Sequence, residues 1–315
     1  MGLSIFMNFV GIDMTNKLCW TYGGHLLVGE KAQLPVFSKN GDTACITYSS
    51  RDGKGRSFGR CADVETLFPL QLGNSRNIIE HGEPGSFDVA GAMPMQIVDN
   101  FLFYIGWTLR LDVPYFNYLS VSTFDGQTVN KIGPILAPDI HETGYSGTFH
   151  VQKIKDRYLG YYLSVVEWLE DEAGQLNPCY DIKIATSNDL LNWERMGKSA
   201  ISRLEGEAGI SAFTVIQHRK TYHAWFSVRK GKEFRESSNG GYRICHATST
   251  DGLNWVRDQQ FGISPGDFLG CEHMAAYPSA FISEQKVVIV FNGNGFGDDG
   301  VHWCHMELSE LEGSG

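Results

Sequence analysis

Hydrophobic and polar residues alternate along much of the chain, in short runs that turn residues separate. Such an alternating run is typical of a β-strand with one buried face. Three runs follow one another early in the chain, over Gln33–Ser38, Thr43–Ser49 and Arg56–Ala62. Asn40-Gly41-Asp42 stands between the first two and is typical of a hairpin turn. The pattern therefore predicts three consecutive antiparallel strands.

The same pattern of three strands recurs four more times. The first strands of the five units are predicted to begin near residues 33, 92, 147, 211 and 276, and the third strands near 56, 117, 180, 242 and 300. Two copies share the motif I-x-x-A-T-S-x-D-x-L-N-W-x-R, at Ile182–Arg195 and, 62 residues later, at Ile244–Arg257. A fainter copy lies at Val121–Gly126. A repeat of this length is typical of a protein built from one supersecondary unit.

The residues of the motif have structural roles. Its Ile, Ala and Ser positions alternate as a strand, and Asp189 and Asp251 stand where the strand enters a turn. An Asp carboxylate at such a position accepts backbone N–H groups. Trp193 and Trp255 then cover the hydrophobic seam. The motif indicates architecture and carries no chemistry of its own.

A short fourth strand after each turn would complete a four-stranded antiparallel blade. We therefore predict an all-β fold, a single five-bladed β-propeller whose first strands line a central channel. The propeller domain is predicted over residues 29–315, with blades at about 29–85, 86–140, 141–205, 206–268 and 269–308. Residues 1–28 are predicted to be an N-terminal tail or a strand that closes the ring.

Composition supports this prediction and excludes some functions. Aromatic residues make up 12% of the chain, with 36 Gly and only 10 Pro, as expected for many short strands and turns. The net charge of −10 argues against a nucleic-acid partner. No run is long and apolar enough to predict a membrane span. Seven cysteines without a C-x-x-C motif, and no signal-peptide pattern, favour reduced thiols and a cytoplasmic location.

The chain resembles the five-bladed propeller glycosidases of glycoside hydrolase families 43, 62, 32, 68 and 130. It is most similar to an uncharacterised branch found with bacterial surface-polysaccharide genes. The resemblance is carried by Y-S-S-R-D at 48–52, G-S-F-D-V-A-G-A-M-P at 85–94, Y-I-G-W at 104–107, F-S-V-R at 226–229, Y-P-S-A-F at 277–281 and F-N-G-N-G-F-G at 291–297. It implies a ligand over the channel, at the end where first strands begin and second strands finish.

The sequence departs from these families at two places. Family 43 usually carries its general base as an Asp on the first inner strand, where this chain has Gly29-Glu30-Lys31. The family 32 pattern W-M-N-D-P-N-G is absent, so fructan chemistry has no support.

A carboxylate precedes the first strand of every unit: Glu30, Asp88, Glu142, Glu207 and Glu272. Carboxylates that converge on one channel suit glycosidic chemistry, which needs an acid for the leaving oxygen and a base or nucleophile opposite. Asp88 and Glu272 lie six residues before Pro94 and Pro278, and we predict them to be the acid–base pair. Glu142 and Glu207 are further catalytic candidates. The alternative is that these residues are turn acids with local backbone bonds.

Several other side chains are predicted to hold a sugar at the same end. Arg51, Asp52 and Arg229 end second strands, and an Arg there suits a carboxylate, a phosphate or vicinal hydroxyls. The remaining candidates are Trp107, His150, Asn292 and Asn294. Structural alternatives remain open for all of them: an Arg–Asp pair between blades, a core Trp, a structural His and a glycine-rich turn.

No catalytic metal and no cofactor is predicted. His141-Glu142 and Glu272-His273 are adjacent residues, which point to opposite faces of a strand and cannot chelate one ion together. The glycine-rich stretch at 293–297 is not followed by a helix pattern, so it does not fit a dinucleotide site.

The leading hypothesis is an inverting glycoside hydrolase-like enzyme with a saccharide as its partner. A glycosyltransferase or glycoside phosphorylase of polysaccharide biosynthesis is an alternative, and it would use an activated sugar donor or phosphate. A sugar-binding propeller without catalysis is the other alternative, favoured by the missing first-strand Asp.

Overall fold

The computed structural model describes residues 19–171, 174–231 and 241–313. These residues form twenty β-strands and two short 3-10 helices, Asn294–Phe296 and Leu308–Gly313. The prediction of an all-β fold is therefore confirmed. None of the helices described is long and apolar enough to span a membrane.

The first eight-stranded sheet contains two consecutive antiparallel sets of four strands. Its strands are β2 (Gln33–Asn40), β3 (Thr43–Arg51), β4 (Ser57–Leu67), β5 (Leu70–Ile79), β6 (Gly91–Val98), β7 (Phe101–Thr108), β8 (Phe116–Phe124) and β9 (Val129–Pro134). One parallel pair, Ser57 with Gly91, joins the two sets.

The second eight-stranded sheet is built in the same way. Its strands are β10 (Ser146–Ile154), β11 (Arg157–Glu170), β12 (Leu176–Ser187), β13 (Glu194–Ile201), β14 (Glu207–His218), β15 (Thr221–Lys230), β16 (Tyr242–Ser249) and β17 (Val256–Ile263). The parallel pair here is Tyr180 with Gly209.

A third sheet combines the two ends of the described chain. Its strands are β1 (Thr21–Leu26), β18 (Ala276–Ser283), β19 (Lys286–Asn292) and β20 (Val301–Glu307), with β1 antiparallel to β20. Of the predicted N-terminal segment 1–28, residues 1–18 lie outside the described residues. The predicted domain boundaries stay a prediction.

Side chains link the first strands of the five sets in a cycle. The backbone N–H groups of Ile97, Val151, Val215, Ala280 and Phe37 donate to Ser38 Oγ, Gln96 Oε1, His150 Nε2, Thr214 Oγ1 and Ser279 Oγ, at 2.7–3.2 Å. Each bond joins one first strand to the next, and the last returns from β2 to β18. The backbone pairings themselves leave the three sheets open, so they do not establish a blade count.

Each first strand also carries a β-bulge. The register shifts between Gln33 and Val36 in β2, and at the corresponding places in β6, β10, β14 and β18. Three residues at these bulges have left-handed backbones, Leu34, Ala212 and Tyr277, with φ of 56°, 51° and 58°. A bulge redirects the neighbouring side chains, and such strain is found at functional sites more often than elsewhere.

The two motif tryptophans pack between neighbouring sets. Trp193 meets Phe149 of its own set edge-on at 5.0 Å between ring centroids, and Phe103 of the preceding set at 6.1 Å. Trp255 meets Phe213 of its own set at 5.1 Å and Tyr161 of the preceding set at 5.8 Å, also edge-on.

The carboxylate of Asp189 accepts the backbone N–H groups of Leu191 and Asn192. In the second copy, Asp251 accepts those of Leu253 and Asn254. The structural interpretation of the motif is confirmed.

Candidate functional site

A cavity of about 960 Å³ opens at the end where first strands begin and second strands finish. Gln33 and Thr148 reach it from the starts of β2 and β10, while Arg51, Trp107 and Arg229 reach it from the ends of β3, β7 and β15. This is the end at which the resemblance places a ligand. Both strand sets of each eight-stranded sheet, and the third sheet, contribute to its lining.

Aromatic side chains form much of the cavity wall. They are Trp107, Tyr115, Tyr145, Tyr180, Tyr242, Tyr277 and Phe296. The Tyr180 and Tyr242 hydroxyls are 2.9 Å apart, and the Trp107 Nε1–H donates to Ser57 Oγ at 3.2 Å. Indole and phenol rings offer flat apolar faces with a polar edge. Such walls suit a ligand that has both C–H faces and hydroxyl groups.

Burial keeps the deepest tyrosines protonated. It raises the pKa of Tyr145 and of Tyr242 well above the usual tyrosine range, with the neighbouring Tyr115 and Tyr180 hydroxyls adding to the shift. Both are therefore neutral hydroxyls at physiological pH. They provide donors and acceptors for a polar ligand, and they are poorly suited to act as nucleophiles.

Three cations line the same cavity. Arg51 donates from Nη1 to the Gly55 carbonyl at 2.8 Å, and its guanidinium lies 5.5 Å from the centroid of the Trp107 ring. Arg229 is 1% exposed, donates from Nη2 to the Pro178 carbonyl at 2.6 Å and lies 5.1 Å over the Tyr180 ring. The third cation is Lys31.

The pKa of Arg229 ensures that its charge is permanent. Burial alone would lower this pKa, but the neighbouring Tyr180 and Tyr242 hydroxyls raise it overall.

Three of the predicted binding residues share one cavity: Arg51, Trp107 and Arg229. That they hold a sugar stays a prediction.

The predicted catalytic carboxylates lie elsewhere. None of Asp88, Glu142, Glu207 and Glu272 lines the cavity, and Asp298 is the carboxylate that does so among the described residues. The assignment of Asp88 and Glu272 as an acid–base pair stays a prediction. Ion pairs give three of these carboxylates a structural role.

Asp88, Glu142 and Glu207 make equivalent ion pairs inside their own strand sets. Asp88 pairs with Lys131 of β9 at 2.6 Å. Glu142 pairs with Arg195 of β13 at 3.2 Å, and with Lys183 at 3.1 Å.

Glu207 completes the series, since it pairs with Arg257 of β17 at 2.9 Å. In each case an acid at or just before the start of the first strand meets a cation on the fourth strand. A pair that recurs from unit to unit is a structural connection within the unit.

Hydrogen bonds strengthen this interpretation. Tyr162 Oη donates to both oxygens of Glu142, at 2.9 and 3.0 Å, and Ser164 Oγ donates at 3.1 Å. Burial works to raise the pKa of Glu207, but hydrogen bonds from Arg257 and from the Leu204 N–H lower it overall. A general acid needs a raised pKa, so Glu207 is poorly suited to that role.

Glu272 lies on an exposed loop beside the cavity. Its oxygens accept the Gly270 N–H at 3.0 Å and the Asn294 Nδ2–H at 2.6 Å, and the Gly270 bond lowers its pKa. Asn294 lines the cavity and its Oδ1 accepts the His273 N–H at 2.8 Å. Glu272 and Asn294 thus fasten together two loops of the cavity rim.

Three further predicted binding residues have structural contacts and do not line the cavity. Asn292 is fully buried, and its side chain bonds to the Leu34 N–H and to the Ala32 and Gly300 carbonyls. His150 accepts the Val215 N–H, and burial lowers its pKa to about 4. Asp52 caps its own turn and pairs with Arg56 at 2.8 Å.

The sequence reasoning missed the tyrosines of the cavity. Tyr180 and Tyr242 carried a signal, because both stand two residues before the first Ile of the repeated motif. Tyr115 and Tyr145 come from connections between strands and had no such signal. No cluster of three metal-ligating side chains occurs within residues 19–171, 174–231 and 241–313.

Two proteins of Mycobacterium tuberculosis are similar to this chain in sequence. The uncharacterised protein Rv1502 is 27% identical over 283 residues, which cover 85% of this chain and 89% of the relative. The uncharacterised protein MT1551 is 26% identical over 282 residues, with the same coverage. No family model matches the chain.

Solved structures share the fold, and glycoside hydrolases are among them. BT0996, solved as an RGII complex, superposes with a TM-score of 0.69 at 15% identity, covering 92% of this protein and 92% of the other. A thermostable family-43 glycoside hydrolase gives 0.63 at 15% identity, covering 89% of this protein and 90% of the other. A protein of the GH130 family of mannoside phosphorylases, which contains glycoside hydrolases, gives 0.60 at 13% identity, covering 88% and 84%. The resemblance seen in the sequence is confirmed at the level of the fold.

Proposed function

We propose that the protein is carbohydrate-active and glycosidase-like, and that it binds a saccharide in the aromatic cavity. The observation that carries this proposal is the composition of the cavity wall, where ring faces alternate with hydroxyl, amide and guanidinium groups. Trp107 and Tyr277 offer faces on which a sugar ring stacks, and Ser49, Asn117 and Thr148 offer hydrogen bonds. The shared fold with glycoside hydrolases supports the same conclusion.

The cavity belongs, in this proposal, to a closed five-bladed propeller of four-stranded blades. The cycle of five side-chain bonds between first strands supports closure, because its last bond joins β2 to β18. The antiparallel pairing of β1 with β20 would then complete the last blade. A saccharide over the axis of such a ring touches every blade.

The reaction proposed is cleavage or formation of a glycosidic bond. An inverting hydrolase holds two carboxyl groups about 6.5–9.5 Å apart around the substrate. Asp88 and Glu272 are the proposed pair, and their ion pair and loop contacts give them structural roles as well. Any turnover therefore has to be assigned by measurement.

Binding without catalysis is the second candidate. It is favoured by one observation: among the described lining residues, Asp298 alone carries a carboxyl group. Asp298 is 73% exposed and lies 3.9 Å from Lys31. A cleft with stacking faces and one acid suits recognition better than paired acid–base catalysis.

Binding and turnover of a glycan panel test the proposal. The wild type is expected to bind at least one glycan class, and Trp107→Ala should weaken that binding by roughly ten- to a hundredfold through lost stacking. Trp193→Ala is the matched control, because Trp193 packs outside the cavity. Binding by none of the glycans, or equal loss in both variants, would overturn the proposal. Turnover with water, phosphate or an activated donor separates enzyme from binding module.

A further inference from the structure

Charge is distributed unevenly between the cavity and the rest of the chain. The protein as a whole carries a net charge of −10. The described cavity lining has three permanent cations, Lys31, Arg51 and Arg229, and one carboxylate, Asp298. A concave site of one sign concentrates ligands of the opposite sign.

Arg51 is arranged to receive an anion. A guanidinium has five N–H donors, and the described contacts of Arg51 use one of them, to the Gly55 carbonyl. The side chain is exposed at the cavity and is supported by the Trp107 ring. A planar guanidinium binds carboxylate and phosphate through paired hydrogen bonds. Arg51 is therefore both held in place and left with donors.

Lys31 adds a second charge at the same wall. Its contact with Asp298 is 3.9 Å long, and the two side chains are 65% and 73% exposed. An exposed pair of this kind contributes little energy, so Asp298 does not hold Lys31 in place and the ammonium can turn to a ligand. Arg229 adds the third charge from the buried side of the cavity.

We propose that the saccharide recognised in this cavity is anionic, carrying a carboxylate or a phosphate group that Arg51 and Lys31 bind while a sugar ring stacks nearby. This inference rests on the proposed function and narrows it to acidic saccharides. Carboxylate and phosphate share the chemistry that a guanidinium and an ammonium recognise. Separate carboxylate and phosphate probes distinguish the two.

Calorimetry with matched probes tests the inference. Galactose trisaccharide and galacturonic acid trisaccharide differ only at C6, and galactose 1-phosphate and inorganic phosphate make up the phosphate arm. We expect at least one acidic probe to bind about tenfold or more tightly than the neutral trisaccharide. The preference should shrink as salt is raised, since salt screens exposed charges. Tight binding of the uronate indicates a carboxylate, and tight binding of the phosphate probes indicates a phosphate.

Variants assign the effect to the two residues. Arg51→Gln and Lys31→Gln should each lose most of the acidic preference, while Lys39→Gln should keep it. Lys39 is exposed on the same strand set at the far end of β2, outside the cavity lining. Equal binding of neutral and acidic probes, or a preference that survives in Arg51→Gln, would overturn the inference and leave the proposed function standing. Failure of every glycan in the panel would overturn both.

Discussion

Replacing Glu142 with Gln distinguishes a structural acid from a catalytic one. The carboxylate is 7% exposed and lies between Lys183 and Arg195, which are each 19% exposed. Gln keeps the size and part of the hydrogen bonding to Tyr162 and Ser164, but it leaves both cations without this counter-charge. The contact of Arg195 Nε with Glu142 is an ion pair without hydrogen-bond geometry. The Gln variant therefore loses mainly the electrostatic attraction at this contact.

Breaking a buried ion pair costs about 3–5 kcal/mol. Arg195 retains Asp139 at 2.9 Å and the Leu136 carbonyl at 2.7 Å, so we expect the lower end, about 3 kcal/mol. For a chain of this size that is a fall of roughly 4–5 °C in melting temperature. Differential scanning fluorimetry and urea unfolding measure the change. Saccharide affinity of the folded variant should stay at the wild-type value.

Glu205→Gln is the matched control, because Glu205 is exposed on the turn just before β14. It should leave the melting temperature unchanged. The reasoning is refuted if Glu142→Gln melts like the wild type. Retained stability together with lost turnover would make Glu142 a catalytic residue.

Three further perturbations test other parts of the structure. Trp193→Ala should destabilise the fold by about 3 kcal/mol, measured by urea unfolding, and should not change glycan affinity; a loss of affinity at unchanged stability would contradict the packing account. Stability should fall between pH 6.5 and 5, because burial lowers the pKa values of His150, His223 and His302 from 6.5 to about 4, so the unfolded chain binds more protons in this range; a flat profile in urea melts would show that water reaches these three rings. Gly91→Ala should weaken saccharide binding severalfold, because a Cβ there would lie 2.3 Å from Trp107 Nε1. Gly53→Ala is its control, with nothing within 4 Å, and equal affinities in the two variants would remove Trp107 from the site.

The repeat was sufficient to predict the strands, because alternation and turn residues act locally. The observed first strands begin at Gln33, Gly91, Ser146, Glu207 and Ala276, close to the predicted starts except in the fourth unit. There the strand extends four residues earlier, to Glu207, since the parallel pair of Tyr180 with Gly209 holds the preceding residues in the sheet.

The same repeat guided the choice of catalytic candidates. Asp88, Glu142 and Glu207 attracted attention because they recur at one position, yet recurrence is what a structural pair in every unit produces. Their partners recur at a similar spacing and could have shown this. They are Lys131, Arg195 and Arg257. A side chain that lines the cavity, such as Arg51, is the better candidate for function.

The cavity itself was only partly predictable. Arg51, Trp107 and Arg229 were found because the ends of second strands are easy to locate in a repeat. Which side chains of a first strand face the cavity depends on its bulge, since a shift of one residue turns every side chain to the other face. Tyr277, with its left-handed backbone, is positioned in this way and could not be assigned from alternation.

A crystal structure with a bound saccharide tests the central claim most directly. Crystals would be soaked with the glycan of highest affinity from the panel. We predict a sugar ring inside the cavity, stacked on Trp107 or Tyr277, with an acidic group within hydrogen-bond distance of Arg51. A saccharide bound outside this cavity, or one held between Asp88 and Glu272 away from Trp107, would contradict the account.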